Sequence, residues 1–345
     1  MSIFFSSTVC SSPYRFFTLG AVAIMRSMMD ANTQLYWDSV CASRQYLEPH
    51  FPQLHPEPSP TVPVAVGLMH NLKAGGSTLK GILRHLASAA GLPLCGVPEQ
   101  YGIPVAATQL TPTQQQECRL FFTMPGSTLE VAHLTRRPAL LVTSLRPPAD
   151  HWVSYYNYAC VCNVESHSSL QNCTVRTSFE EHSINVAWQV VGMVLNGHQR
   201  ILRKCADIAT ALGADAERRF EDNVLRMLTA RLSAPCLSTM PTYEIDAYVP
   251  LLSERWQPYR LTPLHPLPVK NAFKADRCPA SQRHWLQDAK SEATLKRLSA
   301  AAKHGLSLRV HDQLWQWFRA NGRGLWRNSS APCTIRMPPA WGGRR

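Results

Sequence analysis

The sequence predicts an α/β fold with a central parallel sheet flanked by helices and a helix-rich C-terminal half. In the first half of the chain, short apolar runs alternate with helical patterns, which is typical of parallel sheets covered on both faces. Helical periodicity dominates the second half. Hydrophobic residues make up 45% of the 345 residues, which suffices for one large domain or two smaller ones.

The spacing of apolar residues predicts each element in order. Strands are expected where β-branched or aromatic residues form short runs, at 62–69, 119–123 and 139–144. Helices are expected where apolar residues recur at intervals of three and four. They fit the segments 76–90, 113–118, 149–159, 183–212, 215–231, 280–289, 292–304 and 308–320.

Composition divides the chain into four parts. Residues 1–29 combine a short apolar run with flanking arginines and no acidic residue, which predicts a signal peptide or signal anchor; an organelle transit peptide is the alternative. Residues 30–61 include a proline-rich stretch, which predicts a stem or linker. The functional domain is expected at 62–320. Residues 321–345 form a basic tail that is expected to be loosely ordered.

The segment after the first strand is the most informative one. A lysine, two glycines and two hydroxyl residues stand where the helix at 76–90 begins. Glycine lets the backbone turn tightly and approach a ligand, and N–H groups at a helix N-terminus favour anions. The pattern predicts a phosphate cradle, and a turn without a ligand is the alternative. The cradle consists of Lys73, Ala74, Gly75, Gly76, Ser77 and Thr78.

The cradle is not a Walker A loop, in which the lysine follows the last glycine. Here Lys73 precedes both glycines, and no aspartate pair suited to Mg²⁺ follows a strand. A P-loop-type phosphotransferase therefore stays an alternative rather than the favoured class, because a fold does not determine a function. We expect no metal at this site.

A second segment carries a positive charge at another strand end. The strand at 139–144 leads into Arg146, and Pro147 and Pro148 then open a helix. Ligands collect at the carboxyl ends of strands in open α/β sheets, and a guanidinium grips phosphate with two parallel hydrogen bonds. Ser154 follows about two helical turns later, so we expect it to hold the same phosphate as Arg146.

The two segments together resemble the Golgi-type carbohydrate sulfotransferases of the galactose 3-O- and uronyl 2-O-sulfotransferase kind. Lys73–Leu79 is similar to their 5′-phosphosulfate loop, K-[TA]-G-G-[ST]-[ST]-L. Leu145–Tyr158 is similar to their 3′-phosphate segment, L-R-D-P-V-x-R-x-x-S-x-Y-Y. The sequence departs at Pro147, where the family has Asp, and at His151, where it has Arg. We expect His151 to add a weak, pH-dependent contact to the phosphate.

The resemblance extends over about residues 60–320, with weaker similarity at 238–252 and 308–318. It implies a P-loop-like fold and in-line transfer of a sulfuryl group from 3′-phosphoadenosine-5′-phosphosulfate (PAPS) to a glycan hydroxyl. It assigns the 5′-phosphosulfate to the cradle and the 3′-phosphate to Arg146 and Ser154.

The resemblance also implies a lysine at the leaving group and a general base. Lys73 is expected to neutralise the charge that grows on the leaving phosphate. His133, ahead of the Arg146 strand, is the first candidate for the base, and a surface histidine is the alternative interpretation. His70, at the end of the first strand, is the second candidate.

The charge of the chain indicates anionic partners. Lysine and arginine number 35 against 23 acidic residues, a formal net charge of +12. The charge is spread along the chain without a dense basic run, which argues against a nucleic-acid arm. It suits an acidic donor nucleotide and an acidic glycan acceptor, which Arg136 and Arg137 could contact; a solvated charge pair is the alternative for these arginines.

Cysteines and glycosylation sequons indicate a secretory compartment. Eleven cysteines are present, and Cys160, Cys162 and Cys173 cluster without a zinc-binding spacing, which favours a lumenal disulfide. Sequons begin at Asn172 and Asn328. With the resemblance, these features predict a Golgi-lumenal glycoprotein, held by an N-terminal membrane anchor or passing through the secretory pathway. A non-catalytic member that binds nucleotide or glycan is the remaining alternative.

Overall fold

The protein is described by a computed structural model that covers residues 31–95, 111–123, 128–158, 179–195, 199–261, 286–325 and 331–338. It confirms a mixed α/β architecture built on a central seven-stranded sheet. The strands are β1 Gln53–Pro56, β2 Ala65–Met69, β3 Leu94–Cys95, β4 Leu120–Thr123, β5 Ala139–Leu145, β6 Leu237–Pro241 and β7 Cys333–Arg336.

The sheet is mixed rather than parallel. Strands β3, β4, β2, β5 and β6 lie side by side in that order and run parallel, as the alternating pattern predicts. Strand β7 pairs antiparallel with β1 and, at one residue pair, with β5. The prediction of a parallel sheet is therefore wrong at this edge, because both antiparallel strands come from segments that were expected to be linker or tail.

Helices surround the sheet, and most begin and end close to the predicted bounds. The predicted helix at 183–212 is instead two helices, and the described part of 280–289 is not helical. The helices at 31–36, 44–47, 128–134 and 245–256 were not predicted. The helices are α1 at 31–36, α2 Arg44–Leu47, α3 Gly76–Ala90, α4 Pro112–Glu117, α5 Thr128–Leu134, α6 Pro148–Tyr156, α7 Phe179–Leu195, α8 Gln199–Leu212, α9 Ala214–Leu232, α10 Ile245–Trp256, α11 Glu292–His304 and α12 Leu306–Leu325.

The strands are apolar throughout because both faces of the sheet are covered. Alternate side chains of a strand point to opposite faces. Leu140 and Val142 pack with α3 and α10, whereas Ala139, Leu141 and Leu145 pack with the layer that contains α7, α9 and α12. Two cores result, one on each face.

The described residues of the predicted stem and tail are parts of the folded domain. Trp37 and Phe51 are buried in the core, and β1 extends the sheet beside β7. Disulfides join Cys41 to Cys205 and Cys236 to Cys333. The proline-rich composition misled the linker prediction, since the same segment carries Trp37 and Phe51, whose burial supplies the energy of docking.

Several predicted features lie outside the described residues. These are the signal peptide or anchor at 1–29, the cysteine cluster and both sequons. Within the described ranges, no helix has the length and apolarity that crossing a membrane requires.

Candidate anion-binding site

The predicted cradle is a short loop between β2 and α3. The Ala74 N–H donates to Asn71 O at 3.2 Å, and Lys73 and Gly75 adopt positive φ, 61° and 84°. Glycine accepts this conformation freely, whereas a side chain such as that of lysine costs about 1–2 kcal/mol there. Backbone strain of this kind concentrates at functional sites, so the loop is a candidate for ligand binding.

The two glycines of the loop are required by close packing. A β-carbon on Gly76 would lie 1.9 Å from Cδ2 of His70, and one on Gly75 would lie 2.7 Å from Cδ1 of Ile245. The loop backbone therefore fits between the His70 ring and helix α10. Helix α3 begins at Gly76 without an acidic residue in its own first turn, so no carboxylate of that turn competes with a ligand for the terminal N–H groups.

Hydroxyl groups from two neighbouring strand ends fix the loop. Ser144 is the next-to-last residue of β5, and its Oγ–H donates to Ala74 O. Thr242 Oγ1, just after β6, lies 3.0 Å from Ala74 O and 2.9 Å from Leu145 O. These bonds hold the cradle against the carboxyl ends of β5 and β6.

Arg146 joins the second predicted segment to the cradle. Its Nη1 donates to Lys73 O at 3.0 Å, and its Nε donates to the Tyr243 hydroxyl at 3.1 Å. The Tyr243 hydroxyl in turn donates to Asp150 Oδ2 at 2.9 Å, and its ring lies 5.4 Å from Arg146 Cζ. The two segments that the sequence predicted to share one pocket are therefore in direct contact.

The Lys73 side chain adds a second cation beside Arg146. Its Nζ lies 4.2 Å from the centre of the Tyr158 ring. Burial, and next the charge of Arg146, lower the pKa of Lys73 to about 8. Each cation destabilises the other, and a bound anion would relieve that repulsion.

His70 lies at the end of β2 against Gly76, so the structure brings this predicted base to the cradle. Burial, and next the charge of Lys80, lower its pKa to about 4. The imidazole is therefore neutral near pH 7, and the same shift makes it a weaker base than an ordinary histidine.

Helix α6 buries His151 in the interior of the protein but leaves Ser154 partly exposed. His151 is buried, and its Nε2–H donates to Leu72 O at 2.6 Å, while its Nδ1 has no hydrogen-bond partner in the described part of the chain. The predicted contact of His151 with a phosphate is therefore wrong, because the ring supports the loop from the interior. Ser154 is only half-buried and lies one turn further along the same helix.

The structure does not bring His133 to the cluster. Its Nδ1–H donates to Ile335 O of β7 at 2.9 Å. Because β7 runs antiparallel to β5 and Cys333 pairs with Ala139, Ile335 lies beyond the amino-terminal end of β5. A strand of seven residues separates the two edges by about 20 Å, so the proximity of His133 to Arg146 in the sequence does not bring it to the cradle. Its role as the base stays a prediction.

Four contributors to the site have no assigned role in the sequence-based interpretation. Ser144, Asp150, Thr242 and Tyr243 complete the hydrogen bonds around the cradle and Arg146. Two of them follow a third strand, β6, whose segment at 238–252 carries only weak similarity to the family. A hydroxyl residue at the carboxyl end of a predicted strand is a signal that could have found Ser144. Thr242 and Tyr243 follow a strand that was not predicted, and Asp150 lies within α6.

The geometry defines the class of this site, an anion-binding site, but does not identify the ligand. Two cations, a glycine turn and a helix N-terminus converge at the carboxyl edge of β2 and β5, which suits a phosphate- or sulfate-bearing ligand. No group of histidine, cysteine, aspartate or glutamate suited to a metal ion occurs among the described residues. The sequence matches no protein-family model and no curated protein.

Proposed function

We propose that this protein is a PAPS-dependent sulfotransferase that transfers a sulfuryl group to a glycan hydroxyl. The observation that carries the proposal is the 3.0 Å hydrogen bond between Arg146 Nη1 and Lys73 O. It joins the segments that the family resemblance assigns to the two ends of the donor. The strand–loop–helix unit β2–α3, with β5 beside it in parallel, supports a P-loop-like fold of the same family.

The roles of the residues follow from their positions. The N–H groups of Gly75–Thr78 hold the 5′-phosphosulfate, and Lys73 stabilises the negative charge that develops on the leaving phosphate oxygen. Arg146 and Ser154 hold the 3′-phosphate, which fixes the donor in line with the acceptor. Transfer of this kind depends mainly on positioning and charge stabilisation, as phosphoryl transfer does.

His70 serves as the general base in this proposal. The acceptor oxygen forms a bond to sulfur while the bond from sulfur to the phosphate oxygen breaks, and the acceptor proton passes to the neutral imidazole. The products are a sulfated glycan and adenosine 3′,5′-bisphosphate. His70→Gln keeps much of the side-chain volume against Gly76, so it should abolish turnover and preserve donor binding.

The test is incubation of the purified protein with radiolabelled PAPS and a panel of neutral and acidic glycans. Lys73→Ala should reduce turnover at least a hundredfold, about 3 kcal/mol in transition-state stabilisation, while changing the free energy of unfolding by less than about 1 kcal/mol. Arg218→Ala, on the exposed face of α9, is the matched control. Near-normal activity of Lys73→Ala would exclude the assignment.

A non-catalytic nucleotide-binding member is the second candidate, favoured by one observation. His151 is buried under the loop, so the 3′-phosphate segment presents fewer cations than the family pattern. Binding of PAPS without labelled product on any glycan would favour this candidate. A requirement for Mg²⁺ and ATP would favour a phosphotransferase instead.

The proposed setting is the lumen of the Golgi, with an acidic glycan as acceptor. The two disulfides among described residues support an oxidising compartment. Localisation of the tagged full-length chain by microscopy, with and without residues 1–29, tests this setting.

A further inference from the structure

Four arginines lie at the edge of the sheet opposite the Lys73 loop. We call them the basic edge: Arg119, Arg136, Arg137 and Arg260. Arg119 precedes β4, and Arg137 comes shortly before β5, so both stand at amino-terminal strand ends. Two open pockets of about 420 and 470 Å³ meet at Val62; Arg136 and Arg137 line one of them, and Arg119 and Arg260 line the other.

Backbone carbonyls hold the inner two arginines in place. Arg119 Nε donates to Val64 O at 2.8 Å. Arg137 Nη2 donates to Gln116 O at 2.8 Å, and its Nη1 lies 3.4 Å from Pro63 O. Arg137 Nε is buried and has no hydrogen-bond partner within the described ranges. The guanidinium groups are therefore positioned before any ligand arrives, which lowers the entropy cost of binding.

The two pockets of the basic edge carry no compensating carboxylate. Among the described residues, no aspartate or glutamate lines either of them. Burial, and next the charge of Arg137, lower the pKa of Arg119. Cations that repel each other in this way gain stability when an anion binds between them.

The outer two arginines occupy backbone positions that favour glycine. Arg136 has a φ of 52° and Arg260 a φ of 57°, and each follows the end of a helix. Glycine is the usual residue in this conformation at helix ends. Positive φ at a residue other than glycine occurs, within the described residues, at Lys73, Arg136 and Arg260 alone. Two cations are thus held on this edge at a conformational cost, as Lys73 is at the candidate donor site.

We propose that the basic edge binds an acidic polysaccharide, whose sulfate or carboxylate groups enter the two pockets beside Val62. The disulfides favour an oxidising compartment for the folded chain, where acidic glycans are the prevalent polyanions and nucleic acids are not. The site is separated from the candidate donor site by the length of the parallel strands. This distance does not allow Arg136 and Arg137 to contact an acceptor at the Lys73 loop, as the sequence predicted. The basic edge therefore does not depend on the proposed sulfotransfer.

The test measures heparin binding to the full chain at several salt concentrations. The double variant Arg136→Gly/Arg260→Gly removes two cations and also relieves both positive-φ positions. We expect a Tm equal to or above that of the parent, with heparin affinity at least tenfold lower near 0.15 M salt. The slope of log affinity against log salt should become shallower by about 1.5, since two fewer ionic contacts release counterions.

A matched charge control separates a site from bulk charge. Arg219→Ala/Arg226→Ala removes two exposed cations from α9 and should keep heparin affinity within twofold of the parent. The proposal is overturned by unchanged affinity in the glycine variant, by equal loss in the α9 control, or by duplex DNA binding as tightly as heparin.

Discussion

Lys73 combines several unfavourable features that a ligand would offset. Its backbone is in the left-handed region, its ammonium group is partly buried, and the charge of Arg146 is close by. The Lys73 ammonium lies 4.2 Å from the centre of the Tyr158 ring. Its attraction to the face of the ring offsets part of the hydration that the ammonium loses on burial. Residues arranged in this way are poised for an anion, because each unfavourable term becomes smaller when a negative charge arrives.

The lowered pKa of Lys73 predicts pH-dependent nucleotide binding. With a pKa of about 8, the ammonium loses its proton as the pH rises through that value, so affinity for adenosine 3′,5′-bisphosphate should fall. Titration calorimetry between about pH 6.5 and 9.5 measures this. Lys73→Arg keeps its charge and should give a flat profile. A parent profile without a decline above pH 8 contradicts the role of Lys73.

The lowered pKa of Lys73 also makes the free energy of unfolding depend on pH, in the direction opposite to its effect on nucleotide binding. Between the folded pKa of about 8 and the unfolded value of about 10.4, the unfolded chain binds a proton that the folded chain has released. The contribution of Lys73 to the free energy of unfolding therefore rises with pH in this window, as nucleotide binding weakens.

At the scale of elements, the loop between β2 and α3 positions the anion-binding groups and also contains the positive-φ residues Lys73 and Gly75. The predicted bounds of α3 agree with the structure, Gly76–Ala90, because amphipathic spacing and the glycine pair lie within a few residues of each other. The packing of that loop against His70 and Ile245 was not predictable, since α10 belongs to a distant part of the chain.

Gly76→Ala tests whether this close packing matters. The added β-carbon would meet the His70 ring at 1.9 Å, so the ring must move; we expect a loss of about 2–3 kcal/mol in the free energy of unfolding and at least tenfold weaker donor binding. The control Gly91→Ala introduces a positive-φ alanine into open space and should cost about 1 kcal/mol without affecting the donor. Equal effects of the two variants would show that packing against His70 is unimportant.

At the scale of the whole molecule, both ends of the described chain are fastened to the domain. Strand β1 pairs with β7 at the sheet edge, Cys41 bonds to Cys205, and Cys236 bonds to Cys333. The candidate donor site and the basic edge lie at opposite ends of the same parallel strands, so the sheet connects the two through a rigid framework.

Removal of the disulfide across the longer sequence separation should destabilise the protein strongly. Cys41 and Cys205 are 164 residues apart, and the loop-entropy relation gives about 5 kcal/mol as an upper value. Cys41→Ala/Cys205→Ala should therefore lower the midpoint of urea unfolding markedly. Adding a reductant to the parent should reproduce the loss or exceed it, because Cys236–Cys333 is also reduced. A change below about 1 kcal/mol would contradict a structural role.

Sequence alone determined the α/β class, the positions of most helices, and the two segments that meet at Lys73 and Arg146. Periodicity, turn residues and short motifs are encoded within a few neighbouring positions, so these features can be recognised one segment at a time. Only the tertiary structure decided that β1 and β7 join the sheet, that Tyr243 and Thr242 complete the site, and that His133 lies at the far edge. Those outcomes depend on pairing and burial between residues distant in the chain, where many arrangements satisfy the local pattern and packing selects one of them.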